Sequence, residues 1–375
     1  MTDSVYKKTY PVGEHPDLPA PLGERGVIYW LRSNLFSSIG NTILTLLSIA
    51  LLVYAIPLLF DWAIVRASWG GTDPAQCKVE GAGACWSFIN ARMGQFIYGL
   101  YPIAERWRLT LLMVIMFTLL IYIMIPKAPK KYFVSMILLF VFPPIAFVLL
   151  VGGSFGLVEV PTSQWGGMVL TFVISFVAIT LSFPIGIILA LGRRSNMPIV
   201  KAFSVVFIEL VRGVPLITVL FMSSIMFLLF LPEDWNFDKL LRVLVAITLF
   251  ASAYMAEVVR GGLQAIPKGQ TEAAQSLGMS YWKITGFIVL PQALKIVIPG
   301  IVNTFIGLFK DTTLVLIIGL FDFLGMIKVA SQNGEWLGFH TEGYVFAAIV
   351  YFIFCFAMSR YSMYLENKLH TGHKK

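Results

Sequence analysis

Charged side chains that could carry chemistry occur inside or at the ends of long apolar segments. An ionisable group in hydrocarbon costs several kcal/mol unless it is paired or hydrated, so such groups face other helices or water. Glu257 and Arg260 are three residues apart, which favours an ion pair on one helix face, and Glu209 and Arg212 share that spacing. Two interpretations stay open for each pair, namely structural ion pairing and a role in substrate contact or gating. The candidate pathway or gate residues are Glu209, Arg212, Tyr254, Glu257, Arg260, Asn303, Lys310 and Asp311.

A polar, helix-forming segment at 266–292 interrupts the apolar pattern. It contains Glu272-Ala273-Ala274-Gln275-Ser276-Leu277-Gly278 and, nine residues further on, Ile288-Val289-Leu290-Pro291. Thr271 is expected to cap a helix beginning at Glu272, and Ser280 a second short helix. Gly278 is expected to reverse the chain at positive φ, and Pro291 to stop or kink the entry to the next helix. Such a bent, polar unit in an apolar chain predicts a docking surface for a soluble partner.

These residues must be positioned by membrane-spanning helices. The chain has 375 residues, of which 58% are hydrophobic and 13% charged, whereas soluble domains carry about 25% charged residues. A hydrocarbon core of about 30 Å needs roughly 20 apolar residues in a helix, and lipid leaves a single span no other way to satisfy its backbone. The sequence therefore predicts an all-α polytopic membrane protein with about eight spans, at 39–60, 109–126, 132–153, 167–191, 203–231, 240–261, 294–320 and 343–364.

Basic residues predict the orientation of these spans. They concentrate in both tails and in three short links at 127–131, 193–201 and 268–283, which eight spans place on one side of the membrane. Lys and Arg favour the cytoplasmic side, so both termini are expected there. The net charge of +8 is thus topogenic and does not indicate nucleic-acid binding.

The three cysteines do not form a metal-ligand pattern, and no metal site is expected. Cys77 and Cys85 share one polar loop, and two alternatives stay open for them: a disulfide, if that loop faces an oxidising compartment, or two unpaired thiols. The chain has no phosphate-binding loop and no nucleophile elbow, so neither a cofactor in this chain nor covalent catalysis is expected.

The order EAA, three residues, Gly, nine residues, Ile-x-Leu-Pro resembles the cytoplasmic loop of bacterial ABC importer permeases. Over about residues 165–365 the chain resembles their polar amino acid branch, the histidine/glutamine permease-like family. Its length and three extra N-terminal spans resemble the second membrane subunit of general L-amino acid transporters. The branch resemblance rests on Glu209-Leu210-Val211-Arg212-Gly213-Val214-Pro215-Leu216, Ala253-Tyr254-Met255-Ala256-Glu257-Val258-Val259-Arg260-Gly261-Gly262 and Lys310-Asp311-Thr312-Thr313-Leu314.

The resemblance implies a permease subunit that translocates amino acids across the bacterial inner membrane, without enzymatic activity of its own. It implies a second permease subunit in a heterodimer, a dimer of ATP-binding subunits that use ATP-Mg, and a periplasmic amino-acid-binding protein. Residues 161–375 are expected to form a five-helix permease domain, and 1–160 an extension with three spans and a periplasmic loop. The implied ATPase-coupling residues are Glu272, Ala273, Ala274, Gly278, Ile288, Leu290 and Pro291.

Two other functions compete with this one. An ion-coupled secondary transporter would explain the carboxylates in the membrane but not the EAA segment. An intramembrane enzyme that used Glu257 or Asp311 as an acid or base would need paired catalytic groups at one depth, which the sequence does not show.

Overall fold

Helices make up all the regular elements in the described part of the chain, which comprises residues 26–230, 232 and 237–369 of a computed structural model. An isolated parallel bridge joins Gly167 to Asp322. The helices are α1 (Gly26–Asn34), α2 (Ile39–Phe60), α3 (Trp86–Tyr98), α4 (Arg106–Met124), α5 (Lys131–Met136), α6 (Phe142–Val151), α7 (Gly167–Arg193), α8 (Pro198–Gly213), α9 (Leu216–Phe221), α10 (Phe227–Leu229), α11 (Lys239–Ala265), α12 (Lys268–Ser276), α13 (Tyr281–Lys283), α14 (Leu290–Ile296), α15 (Ile298–Asp311), α16 (Phe323–Ser331) and α17 (His340–Leu369).

Short segments of other helical types connect several of these helices. π-helical turns occur at Asp61–Val65, Ile137–Val141, Met222–Met226 and Ile284–Val289, and 3-10 turns at Pro74–Cys77, Ile103–Glu105, Thr162–Gln164, Thr312–Ile318 and Gly334–Trp336.

The predicted number of membrane spans is confirmed. Seven helical segments are long and apolar enough to cross a bilayer, and one bent pair brings the number to eight. The continuous segments are Ile39–Val65, Ile103–Met124, Lys131–Val151, Gly167–Arg193, Lys239–Ala265, Ile298–Ile318 and His340–Leu369.

The predicted fifth span, 203–231, is broken rather than straight. Pro198–Gly213 and Leu216–Leu229 meet at an angle of 103°. The cause is local, because Pro215 has no N–H to donate and disfavours the helical conformation in the residue before it. Val214 is accordingly extended, with φ −110° and ψ 137°. The local chemistry of Pro215 therefore accounts for the break in this span.

The chain forms two compact units. The smaller comprises residues 1–68 and 77–84, and within it Ser38 caps α2 by accepting a hydrogen bond from the Asn41 amide at 3.2 Å. The larger comprises residues 69–76 and 85–375. The basic residues predicted for the first 25 and last 6 positions lie outside the described residues, as do Glu233 and Asp234.

Helices from both sides of residue 160 pack together within the larger unit. Leu112 of α4 and Phe142 of α6 belong to the same buried cluster as Ile174 of α7 and Ile247 of α11. Helix α3 contacts the 3-10 turn between α16 and α17, where Phe88 lies 5.5 Å from Trp336 and Arg92 pairs with Glu335 at 3.2 Å. The helices therefore pack across the predicted boundary near residue 160. The division into an N-terminal extension and a permease domain stays a prediction.

A second buried cluster joins the polar segment 266–292 to the long helices. Ala274, Ile284 and Ala293 pack with Met255 and Val259 of α11. Close approach depends on glycine at this end of the bundle, because a Cβ on Gly262 would lie 2.6 Å from the Ala293 carbonyl oxygen. Segment 266–292 is thus fixed directly to α11.

Candidate functional site

Three helices bring five charged side chains into one ion-pair network. Arg193 is the last residue of α7, Glu209 and Arg212 lie in the last two turns of α8, and Glu257 and Arg260 face them from α11. The Arg193 Nη1 lies 2.8 Å from Glu209 Oε1 and 3.0 Å from Glu257 Oε1. With three arginines and two glutamates, the network carries a formal charge of +1.

Glu257 is the centre of the network. Its Oε2 accepts from Arg260 Nη2 at 2.7 Å and lies 3.4 Å from Arg212 Nη1. The Arg260 Nε also donates to both carboxylate oxygens, so the predicted pair between Glu257 and Arg260 is confirmed. The Glu257 side chain is 15% exposed and Glu209 is 55% exposed. Glu257 therefore holds three helices together, whereas Glu209 lies at the solvent-exposed edge of the network.

The second ion pair that the spacing favours, between Glu209 and Arg212, is not the one that forms. Glu209 pairs with Arg193 of α7, and Arg212 reaches Glu257 of α11. Spacing on one helix gives only local partners, whereas the approach of α7 and α11 offers each side chain a better-placed opposite charge. Arg193 was missed as a site residue because a basic residue at the end of an apolar segment is also the signal for topology.

Of the other candidate residues, Tyr254 alone contacts the network among the described residues. Arg212 lies over the ring of Tyr254 at 5.6 Å, a cation–π contact. Asn303 and Lys310 of α15 are exposed, and neither makes an ion pair or a side-chain hydrogen bond to the described residues. Asp311 is partly buried at the point where α15 becomes a 3-10 turn. The structure thus brings Tyr254 to the network but leaves Asn303, Lys310 and Asp311 apart from it.

The predicted two-helix unit in segment 266–292 is present, with one correction to its start. Helix α12 begins at Lys268 after Pro267, so Thr271 is inside the helix and does not cap it. Proline fixes φ near −65° and so favours a helix start directly after it. Gly278 reverses the chain at φ +71°, as predicted. Ser280 precedes α13 as predicted, but its side chain makes no capping hydrogen bond.

The predicted coupling residues divide into anchors and exposed groups. Ala274, at 3% exposure, packs with Ile288 and Leu290 into the core shared with α11. Glu272, Ala273, Gly278 and Pro291 are exposed. We define the exposed surface of residues 272–282 around Gly278 as the coupling patch, and it includes the exposed side chains of Leu277, Tyr281 and Trp282.

Apolar exposure in the coupling patch was not predicted. Leu277 is 81% exposed and Trp282 is 72% exposed, and the rings of Tyr281 and Trp282 pack edge to face at 5.3 Å. Exposed aromatic and aliphatic side chains in a polar loop mark a protein interface. A signal was available, because the hydrophobic residues flanking Gly278 have no place in a solvated loop.

A buried carboxylate outside the spans joins the start of α16 to α17. Asp322 caps α16 by accepting from the Gly325 amide at 2.9 Å, and accepts from the Tyr351 hydroxyl at 3.1 Å. Burial raises the pKa of Asp322 to about 6. The hydrogen bonds to the carboxylate lower this pKa, but burial has the larger effect. Across the described ranges, no cluster of three or more His, Cys, Asp or Glu side chains that could hold a metal ion occurs.

Residues 182–371 match the sequence profile of the family described as "Binding-protein-dependent transport system inner membrane component". The chain belongs to this family. It is therefore a membrane permease subunit of the ATP-binding cassette importers, and ATP hydrolysis belongs to a separate subunit. Membership supports the importer over the ion-coupled alternative, and it implies ATPase and binding-protein partners and a place in the inner membrane.

Two curated relatives match this permease over nearly its whole length. The Inner membrane amino-acid ABC transporter permease protein YhdY of Escherichia coli (strain K12) is 53% identical, with 96% of this chain and 97% of that one covered. The Glutamate/glutamine/aspartate/asparagine transport system permease protein BztC of Rhodobacter capsulatus is 40% identical, with 100% of each covered.

Shorter proteins match only part of the permease. The Probable glutamine ABC transporter permease protein GlnP of Bacillus subtilis (strain 168) is 33% identical, covering 54% of this chain and 91% of its own. A solved structure described as "Crystal structure of an amino acid ABC transporter with histidines" is 29% identical, covering 54% of this chain and 92% of that one, with a TM-score of 0.49.

Proposed function

We propose that this permease forms half of a pathway that imports amino acids at the expense of ATP, driven through the coupling patch. The observation that carries the proposal is the continuous packing from that patch to the ion-pair network. Ala274 and Ala293 pack against α11, and Glu257 lies on the same helix, eight residues before it ends at Ala265. A push on the patch is therefore delivered to the helix that carries the centre of the network.

We assign the ion-pair network to the gate of the pathway. Its five charges belong to three helices, so any relative movement of α7, α8 and α11 must break or exchange ion pairs. Partly buried pairs have discrete arrangements, which is what a two-state gate requires. Asn303, Lys310 and Asp311 are proposed as further pathway groups, because their side chains are exposed or only partly buried in an otherwise apolar helix.

Amino acids are the proposed substrates, because the names of the two relatives that match nearly the whole chain describe transporters of amino acids. We propose that a second permease subunit completes the pathway as a heterodimer, beside a dimer of ATP-binding subunits that use ATP-Mg and a periplasmic amino-acid-binding protein. Gentle purification of the tagged subunit should recover these partners. Proteoliposomes holding the complex should take up a labelled amino acid only with ATP and binding protein. Uptake driven by an ion gradient without ATP would contradict the proposal.

The proposed topology has both termini and Lys268 in the cytoplasm and Cys77 outside it. The expected result is that, in a Cys85→Ala variant, a membrane-impermeant maleimide labels Cys77 in intact cells whose outer membrane is permeable. Neither Cys77 nor Cys85 is a free thiol, whereas Cys355 is. In the unmodified chain we therefore expect Cys77 and Cys85 to resist alkylation until a reductant is added. Because Cys77 is 7% exposed, the result that would contradict the eight-span topology is labelling of Cys77 only after the inner membrane is opened.

We propose that residues 1–160 support the permease domain without lining its pathway. Phe142 of α6 is 7% exposed and packs edge to face on Phe176 of α7 at 5.8 Å. Phe142→Ala is therefore expected to cost about 3 kcal/mol of stability, while the apparent affinity for each amino acid stays unchanged. Thermal unfolding and competition uptake on the purified complex measure the two effects. A changed order of preference among amino acids would show that the extension contacts substrate.

A further inference from the structure

Arg242 is a charged residue that the proposed transport mechanism does not use. It lies in the first turn of α11, the helix that also carries Glu257. Its Nη1 donates to the main-chain oxygens of Ser223 and Ser224, in the π-helical turn that connects α9 to α10. These bonds fix the plane of the guanidinium and leave its opposite edge, formed by Nε and Nη2, for another partner.

Within the part of the chain that the structure describes, that opposite edge is not fully satisfied. The Arg242 Nε is buried and has no hydrogen-bond partner. Among residues 26–230 and 237–369, no carboxylate lies within ion-pair distance of Arg242. A buried donor without a partner costs about 1–3 kcal/mol, and more when it is charged. An edge of two parallel N–H groups matches the two oxygens of a carboxylate or phosphate.

An apolar cavity of about 570 Å³ adjoins Arg242. It lies between α8, the segment α9–α10 that follows the bend, and α11, and Arg242 is the one charged side chain among the described residues that line it. The lining side chains Met226, Phe230 and Val245 are exposed, so the cavity opens at an apolar part of the surface. An oxyanion site at the end of an open apolar cavity calls for a ligand with an anionic head and a hydrocarbon body.

We propose that this cavity binds a membrane phospholipid, with an acyl chain against the apolar lining and a phosphate oxygen pair on the Nε and Nη2 edge of Arg242. A transported amino acid fits less well, because its ammonium group needs an acceptor and the described lining offers no carboxylate. A guanidinium edge binds the paired oxygens of a phosphate bidentately, which suits a phospholipid head group. The lipid would brace the bend at Val214–Pro215, since α8 and α9 both contribute to the lining.

The test is native mass spectrometry of the purified transporter complex titrated with phosphatidylglycerol. Arg242→Gln is expected to weaken the tightest lipid-binding step about tenfold, as loss of charge-assisted hydrogen bonds implies. Val245→Trp, which fills the cavity and keeps Arg242, is expected to weaken phosphatidylglycerol binding by a similar factor. Arg106→Gln is the matched control. Arg106 also lies in the first turn of a spanning helix, α4, and donates to a main-chain oxygen, that of Tyr101. Arg106 does not line either of the two apolar cavities.

Two results would overturn the proposal. One is unchanged phosphatidylglycerol binding in either Arg242→Gln or Val245→Trp when both complexes assemble. The other is unchanged lipid binding together with weakened binding of a labelled amino acid in Arg242→Gln, which would assign the edge to a substrate carboxylate. Neither result depends on whether the ion-pair network is the gate, so this proposal and the proposed function fail separately.

Discussion

Gly278→Pro is expected to abolish ATP-driven uptake while the subunit still inserts into the membrane. Gly278 has φ +71°, and its amide donates to the Gln275 carbonyl oxygen at 2.9 Å. Proline fixes φ near −65° and has no N–H, so the reversal between α12 and α13 cannot form. Positive φ alone costs an L-residue roughly 1–2 kcal/mol. The coupling patch would lose its shape, because Leu277 and Trp282 lie on either side of this turn.

Glu272→Arg is also expected to abolish ATP-driven uptake. The cause here is a changed surface charge, whereas Gly278→Pro changes the backbone. Glu272 is the fifth residue of α12, not part of its first turn, so the change barely affects the helix itself. It inverts an exposed charge beside Leu277, and inverted charges at an interface cost several kcal/mol. The measurement for both variants is substrate-stimulated ATPase and uptake in reconstituted complexes.

Two control variants separate coupling from general damage. Gly286→Ala changes a glycine that has open space around it and no positive φ, and Lys283→Gln removes an exposed charge from α13. Both are expected to keep near-normal coupling. Near-normal coupling in Gly278→Pro and Glu272→Arg as well would mean that another surface transmits the force of the ATPase.

Glu257→Gln is expected to have the second largest effect, on stability and transport together. The change removes the charge that faces Arg193, Arg212 and Arg260 at 2.7–3.4 Å. Each charge-assisted hydrogen bond lost from this partly buried carboxylate costs about 1.5–3 kcal/mol, because the arginines keep their charge without its partner. We expect a midpoint of thermal unfolding several degrees lower and uptake near background, since three helices lose their common contact.

Glu209→Gln is the matched comparison for Glu257→Gln. Glu209 is 55% exposed and pairs with Arg193 alone, and exposed pairs contribute only about 0–1 kcal/mol. Its thermal midpoint is expected to stay close to that of the unmodified complex. Equal effects of the two variants would show that the network is not centred on Glu257, and a stable Glu257→Gln complex with full uptake would remove the network from the gate.

The sequence by itself determined the elements and the family. Eight apolar stretches of spanning length, the break at Gly213 and Pro215, and the reversal at Gly278 depend on local chemistry: hydrophobic length, the missing N–H of proline and the freedom of glycine at positive φ. The Glu257–Arg260 pair was also predictable, because both partners belong to one helix turn.

Only the tertiary structure decided which charges meet and which coupling residues are exposed. Arg193, Glu209 and Glu257 are far apart in the chain and come together because α7, α8 and α11 pack at one point. Ala273 and Ala274 are neighbouring alanines that the sequence does not distinguish, yet Ala273 is exposed and Ala274 packs on α11. The physical reason is that burial and long-range ion pairing depend on neighbours supplied by other helices, whereas a local pattern specifies only the helix that carries it.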